Sequence, residues 1–217
     1  MAMTEKQWLR SKNSVAMIEA LYDMKASERK MLLFICACGR CLEGPKLDED
    51  ILISLRRAEQ YADGQISFEK FMVAQNFSHR VAMEVQNRGD LFCQYFLMVV
   101  DAVVAVAIKD LDGPFDAADV LSENRDESYV ADLIREIFGN PFRPLPIIEP
   151  SWLRWQDELI PKSAKQIYEK KMFADLPVVA DMLEEVGCTD LAIVNHCRSP
   201  GPHVRGCWVI DLLLGKK

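Results

Sequence analysis

A loop near the carboxyl end of the chain concentrates side chains that could do chemistry. Residues 198–207 (RSPGPHVRGC) place His203, Arg205 and Cys207 just ahead of a predicted helix. A thiol at a helix N-terminus and beside cations can have a lowered pKa, as a nucleophile needs, and His203 could act as its base. A catalytic dyad also needs an orienting group and an oxyanion site, and the sequence identifies neither. We therefore assign no catalytic residue.

Two other interpretations of this loop remain. In the first, Arg198, His203 and Arg205 surround an anion at the N-terminus of the last helix. In the second, the loop is a rigid helix–helix connection, in which His203 and Arg205 bond to backbone carbonyls and Cys207 is buried next to Trp208. We favour the second interpretation, because a function inferred from a motif alone is often wrong.

Arg143 is a further candidate, since it lies between rings that restrict its backbone in residues 140–144 (NPFRP). It could be held for a bidentate contact with a carboxylate. We expect that carboxylate to be an internal Asp or Glu, such as Asp181 or Glu184, rather than part of a ligand. The candidate binding residues are Arg143, His196, Arg198, His203, Arg205 and Cys207.

Three cysteines, Cys36, Cys38 and Cys41, lie on one predicted helix, and the last two share a face. A zinc site needs four ligands. The residues that could complete such a site are His196, Cys197, His203 and Cys207. Zinc-binding cysteine pairs usually lie at turns, whereas this helix is strongly apolar, so core packing of the thiols is favoured. We therefore assign no metal ligand and expect no cofactor.

Helices must position these candidates, because nearly every periodic stretch has the helical period and no convincing run alternates apolar and polar residues. We predict an all-α domain over residues 1–217, with roughly ten helices in one compact array. A helix is expected to follow Asn13 or Ser14. Ser27 is expected to cap a helix that ends at Gly44-Pro45, Gly139 to end another, and Gly187 to be a left-handed cap.

The second half of the chain contains a proline-rich segment. Five of the ten prolines lie between residues 141 and 161, which predicts an extended, ordered strap rather than a helix. Its apolar side chains, Trp152 and Trp155 among them, are expected to lie on the core. Residues 110–127 are the candidate boundary between two lobes, 4–110 and 127–217.

Composition excludes several classes of protein. The chain has 217 residues, half of them hydrophobic, and a net charge of −7, which fits a full core and argues against disorder and against a nucleic-acid partner. Seven cysteines and no secretory leader favour a reducing cytoplasm.

Residues 91–108 approach the length of a membrane span, but Asp101 would lie near its centre. We expect a buried helix there and no membrane partner.

Two motifs carry a resemblance to a known set of proteins. They are residues 137–144 (IFGNPFRP) and residues 195–216 (NHCRSPGPHVRGCWVIDLLLGK). With the segment 176–188, they resemble a large paralogous family of uncharacterised proteins typical of planctomycete bacteria. The resemblance implies a bacterial cytoplasmic protein with a compact helical fold. It implies no activity and no catalytic residue.

The usual nucleotide and hydrolase motifs are absent from the sequence, including GxxxxGK[ST], GxGxxG, HExxH and GxSxG. We therefore expect a non-enzymatic helical module that binds another protein through an apolar groove or through the strap. The alternative is a metal- or anion-dependent enzyme centred on His203 and Cys207.

Overall fold

The computed structural model describes residues 2–42, 49–86, 91–107 and 112–216. Within these ranges the chain forms 13 α-helices and no strand, which confirms the all-α prediction. The helices, in chain order, are α1 Glu5–Trp8, α2 Ser14–Asp23, α3 Glu28–Cys41, α4 Glu49–Ala62, α5 Phe68–Gln86, α6 Leu91–Ala107, α7 Gly113–Asn124, α8 Glu127–Phe138, α9 Pro150–Arg154, α10 Leu159–Lys170, α11 Leu176–Glu185, α12 Leu191–Arg198 and α13 Trp208–Leu213. A short 3-10 helix, Phe173–Asp175, precedes α11.

The chain divides into two compact units, residues 1–134 and 135–217. The division falls inside α8, whereas the sequence suggested lobes over 4–110 and 127–217. Every candidate binding residue named from the sequence therefore belongs to the second unit.

The first unit is organised around α3, which packs against α4, α6 and α7. Residues 31–39 of this helix are all buried, because its sequence is apolar on nearly every face. Cys36 and Cys38 lie in this core, and burial raises the pKa of Cys38 well above its ordinary value. These two thiols therefore pack as small hydrophobic side chains.

Several predicted helix ends are confirmed. Asn13 caps α2 by accepting a hydrogen bond from the backbone of Ala16, at 2.8 Å. Ser27 is the N-cap residue of α3, although its side chain makes no capping hydrogen bond. Gly139 follows α8 with φ of +64°, and Gly187 follows α11 with φ of +91°. The predicted stop at Gly44-Pro45 lies outside the described residues.

No helix in the described part of the chain is long and apolar enough to cross a membrane. The most apolar helix, α6, instead buries Val99, Val100, Ala102 and Val103. Ile108, the last residue of the predicted apolar segment, lies outside the described residues.

The strap prediction is wrong in part. Residues 150–154 form α9, and α10 begins at Leu159, ahead of Pro161. Both prolines lie in the first turn of a helix, where the backbone N–H groups have no partner within the helix to lose. Ile147 is 80 % exposed, while Trp152 and Trp155 pack against the core of the second unit as expected.

In the second unit α10 packs against α9, α11 and α13, and α11 packs against α12. The side chains between them form one apolar core that includes Tyr168, Leu183, Cys197 and Trp208. Because α12 and α13 both contribute to this core, the loop between them has both of its ends held in place.

Candidate metal centre

Four polar side chains of the second unit meet beside this core. Glu136 comes from the last turn of α8, His196 from α12, His203 from the loop after α12, and Cys207 from the N-cap position of α13. Their ligating atoms all lie within 4.8 Å of one another. Carboxylate, imidazole and thiol together make a set of ligands typical of transition-metal sites.

Glu136 is the centre of the group. Its Oε2 lies 3.1 Å from His196 Nε2 and 3.0 Å from His203 Nδ1, and its Oε1 accepts a hydrogen bond from the backbone N–H of Val204. Burial of the carboxyl opposes ionisation, but the hydrogen bonds from the two histidines hold the pKa of Glu136 below its ordinary value. Glu136 is therefore a buried carboxylate surrounded by donors.

His203 faces acceptors on both sides of its ring. Nδ1 faces Glu136, and Nε2 lies 3.0 Å from the backbone carbonyl of Ser199. Burial lowers the pKa of His203, but the hydrogen bond and the charge of Glu136 outweigh burial and raise it. Acceptors at both ring nitrogens favour the doubly protonated ring, an imidazolium paired with Glu136.

His196 carries its proton on a defined nitrogen. The indole N–H of Trp208 donates to His196 Nδ1 at 2.9 Å, so Nδ1 must present its lone pair. The proton of the neutral ring is then on Nε2, which faces both Glu136 and the Sγ of Cys207 at 3.2 Å. His196 therefore donates a hydrogen bond into the cluster.

Cys207 does not have the lowered pKa expected of a nucleophile. Its side chain is completely buried, and burial together with the charge of Glu136 raises its pKa well above the ordinary value. The imidazole in contact with its sulfur is that of His196, whereas the sequence suggested His203 as its base. The suggestion of an activated thiol is therefore wrong, whereas the favoured interpretation, in which Cys207 is buried in the core with Trp208, is confirmed.

Local structure explains why these side chains converge. Asp190 caps α12 by accepting hydrogen bonds from the backbones of Ala192 and Ile193, and Ile193 and Cys197 anchor the helix in the core. His196 lies three residues after Ile193 and so is carried on the anchored face.

Two glycines make room for the group. Gly201 has φ of +93°, and a Cβ there would lie 2.6 Å from the backbone nitrogen of His203. Gly139 has φ of +64°, and a Cβ there would lie 3.1 Å from the indole ring of Trp208. Both positions need a residue without a side chain.

The candidate arginines have other partners. Arg198 is exposed and pairs with Asp181, at 2.6 Å, and with Glu184. These are the two carboxylates suggested for Arg143, which is itself exposed. The guanidinium of Arg205 lies 4.4 Å above the ring of Tyr168. Since His203 faces Glu136, all three cations proposed to bind an anion have partners within the chain.

The cysteines suggested as zinc ligands also separate. All four members of the cluster lie within residues 135–217, and none comes from α3. Cys41 has its Sγ 3.3 Å from the hydroxyl of Tyr129 in the first unit. Cys197 is buried in the core beside the cluster, and burial raises its pKa to about 12.

Glu136 was missed by the sequence analysis. In α8 it lies between the buried residues Ile134 and Ile137. The helix has an amphipathic pattern, and in such a helix a single Glu is normally assigned to the solvent-exposed face. No spacing links it to His196, 60 positions further along the chain (196 − 136). The sequence offered one signal: two of the chain's three histidines lie in this loop region. Two nearby imidazoles need hydrogen-bond acceptors, and a carboxylate such as that of Glu136 can supply them.

Several contacts of the cluster are close to the ligand-to-ligand separations of a tetrahedral zinc site. With Zn–N near about 2.0 Å and Zn–S near about 2.3 Å, neighbouring ligand atoms lie roughly 3.3–3.6 Å apart. The contacts of Glu136 with the two histidines and of His196 with Cys207 are 3.0–3.2 Å. The other ligand atoms lie within 4.8 Å of one another, so an ion would lengthen the short contacts slightly and draw the more distant atoms together.

Comparison of the chain with protein-family models, with curated proteins and with solved structures gives no match. The resemblance to the planctomycete family, based on the two motifs, stays a prediction.

Proposed function

We propose that residues 135–217 form a zinc-binding helical unit, with Glu136, His196, His203 and Cys207 as the four ligands. The observation that carries this proposal is the convergence of four ligating atoms of three chemical types within 4.8 Å of one another. The four come from α8, α12, the following loop and α13, so one ion would join every element around the loop.

The environment of His203 supports the proposal. A metal-bound histidine usually donates its other N–H to a carbonyl or carboxylate, which fixes the ring and its tautomer. His203 already has this arrangement, since Nε2 faces the carbonyl of Ser199 while Nδ1 faces the centre of the cluster. His203 needs only to lose the proton on Nδ1 to become a ligand.

His196 needs a larger change. Binding through Nε2 would move its proton to Nδ1, where the indole N–H of Trp208 now donates. Both groups cannot be donors to each other, so the Trp208 hydrogen bond would break on metal binding. Trp208 therefore stabilises the metal-free form and lowers the affinity for the ion.

The role proposed for the ion is structural. Four protein ligands complete a tetrahedral site and leave no position for a substrate or an activated water, as catalytic zinc requires. Glu136 and Cys207 are also buried. We accordingly propose a non-enzymatic protein. The six cysteines whose side chains are described are free thiols, and we propose the cytoplasm as its location.

Titration with Co²⁺ tests the proposal directly. The full chain is treated with a chelator, dialysed, and titrated with Co²⁺, whose bonds to thiolate give a sulfur-to-metal charge-transfer absorption. We expect one Co²⁺ per chain, bound with this absorption and displaced by Zn²⁺. If Co²⁺ and Zn²⁺ do not bind the intact chain, the four side chains form a hydrogen-bonded cluster only and the proposal is wrong.

Two variants show where the ion binds. Cys207→Ala should abolish the charge-transfer absorption, whereas Cys188→Ala, which removes another buried thiol of the same unit, should leave it unchanged. Circular dichroism of each variant separates a lost site from a lost fold. Persistence of the absorption in Cys207→Ala would exclude this site.

A further inference from the structure

An apolar groove runs along the first unit between α4 and α5. The groove has a volume of about 790 Å³. Its apolar lining includes Ile53 of α4 and Val73 and Phe77 of α5, and all three are among the exposed large hydrophobic side chains. Val73 is 70 % exposed, and together with Ile53 and Phe77 it forms an exposed apolar patch of the kind that marks a binding surface.

The groove is preformed. Behind it, the buried Ser54 hydroxyl donates to Gln75 Oε1 at 2.6 Å, and the Gln75 amide donates back to the Ser54 carbonyl at 3.2 Å. The rings of Tyr61 and Phe71 stack with their centroids 4.7 Å apart. These contacts fix the spacing of α4 and α5, so a ligand would not have to order them.

The charges around the groove differ in sign from those of the chain as a whole. Arg57, Lys70 and Arg80 line it with one carboxylate, Glu69, although the whole chain has a net charge of −7. Arg57 donates to the neutral amide of Gln60 at 3.0 Å. The groove therefore presents an excess of positive charge beside an apolar floor.

The spacing on α5 suits a helical ligand. Lys70, Val73, Phe77 and Arg80 follow one another at intervals of three and four residues, so they form one stripe on the helix. This stripe is about 15 Å long, which matches roughly three turns of an opposing helix. Its cations stand at both ends and its apolar side chains in the middle.

We infer that this groove binds an acidic amphipathic helix of another protein. The apolar face of that helix would cover Ile53, Val73 and Phe77, and its carboxylates would meet the three cations. Three cations around an apolar floor do not match the continuous phosphates of a nucleic acid.

A designed peptide probes the groove. The probe is a labelled helix of about 15 residues with leucine on one face and glutamate on the others, and the matched control has lysine in place of every glutamate. We expect the full chain to bind the glutamate peptide, more weakly at high salt, and the lysine peptide at least about tenfold less. Equal binding of both peptides, or of neither, would overturn the inference.

Variants locate the binding. Val73→Asp should lower the affinity for the glutamate peptide about tenfold, whereas Val178→Asp, at an exposed valine of α11, should not change it. Both valines are exposed, so both variants should unfold at the temperature of the unmodified chain. Arg57→Glu combined with Arg80→Glu should reverse the preference in favour of the lysine peptide. A second copy of the chain is the competing occupant of the groove, and sedimentation tests it. If the chain self-associates and Val73→Asp abolishes the self-association, the groove binds a second copy instead.

Discussion

The indole N–H of Trp208 donates to Nδ1 of His196 across 2.9 Å, and this contact sets the proton positions of the whole cluster. Because indole is only a donor, the lone pair of Nδ1 must face it and Nε2 must carry the proton. The hydrogen bond thus keeps the proton of His196 on Nε2, where it is donated to Glu136 and Cys207. A metal ion bound at Nε2 needs the proton on Nδ1 instead.

Trp208→Phe should therefore raise the affinity for Zn²⁺. Removing the donor takes away a hydrogen bond of about 1 kcal/mol that only the metal-free form makes, which corresponds to roughly a fivefold to tenfold tighter complex. Competition between the chain and a chelating dye measures the change. Trp152→Phe is the control, because Trp152 packs against the same core, and its affinity should not change. An unchanged or weaker affinity in Trp208→Phe would contradict the proposed role of the indole.

Glu136 and His203 should make the stability of the metal-free chain depend on pH. The pKa of His203 is raised above its ordinary 6.5, so its contribution is complete below pH 6.5 and is lost as the pH rises through the folded-state value. The pKa of Glu136 is lowered below its ordinary 4.5, so its contribution is complete above pH 4.5 and is lost as the pH falls through the folded-state value. The pair should stabilise most between pH 4.5 and 6.5.

Urea unfolding in the presence of a chelator measures this effect. Within that window His203→Ala should lower the free energy of unfolding by about 3 kcal/mol, because it leaves a buried carboxylate without its cation. His79→Ala is the control, since the His79–Asp101 pair is exposed on both sides and should contribute under about 1 kcal/mol. If both variants lose a similar free energy of unfolding at every pH, the buried Glu136–His203 pair contributes no more than an exposed pair.

Affinity for Zn²⁺ should fall as the pH is lowered. Binding requires the Cys207 thiol and the Nδ1 proton of His203 to be lost, and the pKa of each group is raised in the folded chain. Calorimetric titration in buffers of different ionisation enthalpy measures the protons released. An affinity independent of pH would mean that the ion binds elsewhere.

Thiol labelling should follow burial rather than proximity to cations. Among the six cysteines whose side chains are described, Cys41 is partly exposed and the other five are buried. Alkylation of the native chain followed by peptide mapping should therefore modify Cys41 before Cys207. If Cys207 is modified faster than Cys41, the Cys207 thiol is activated despite its burial, and the raised pKa inferred from its surroundings is wrong.

Gly201→Ala should distort the loop that carries His203. The substitution forces a side chain into φ of +93° and places its Cβ against the backbone of His203. Gly64→Ala, also at positive φ but with nothing within 4 Å of its Cβ, is the matched control. Thermal unfolding should show a loss of about 1 kcal/mol for Gly64→Ala, from backbone strain alone, and a larger one for Gly201→Ala. Equal losses would mean that the loop adjusts to the added Cβ.

Local interactions made much of this fold predictable. The helices follow from apolar spacing, and the ends at Asn13, Gly139 and Gly187 follow from caps that act within a few residues. The proline-rich segment shows the limit of such arguments. The number of prolines is visible in the sequence, but whether Pro150 and Pro161 stand in a first helical turn depends on where neighbouring helices begin.

The sequence by itself determined the class of fold, the apolar character of α3 and α6, and the presence of two histidines and a cysteine near one loop. Only the tertiary structure decided what those side chains do. It brought Glu136 to them from α8, turned Trp208 toward His196, and removed Cys207 from water. The physical reason is that spacing governs contacts within a helix, whereas ligand geometry and pKa depend on groups that packing brings together from distant parts of the chain.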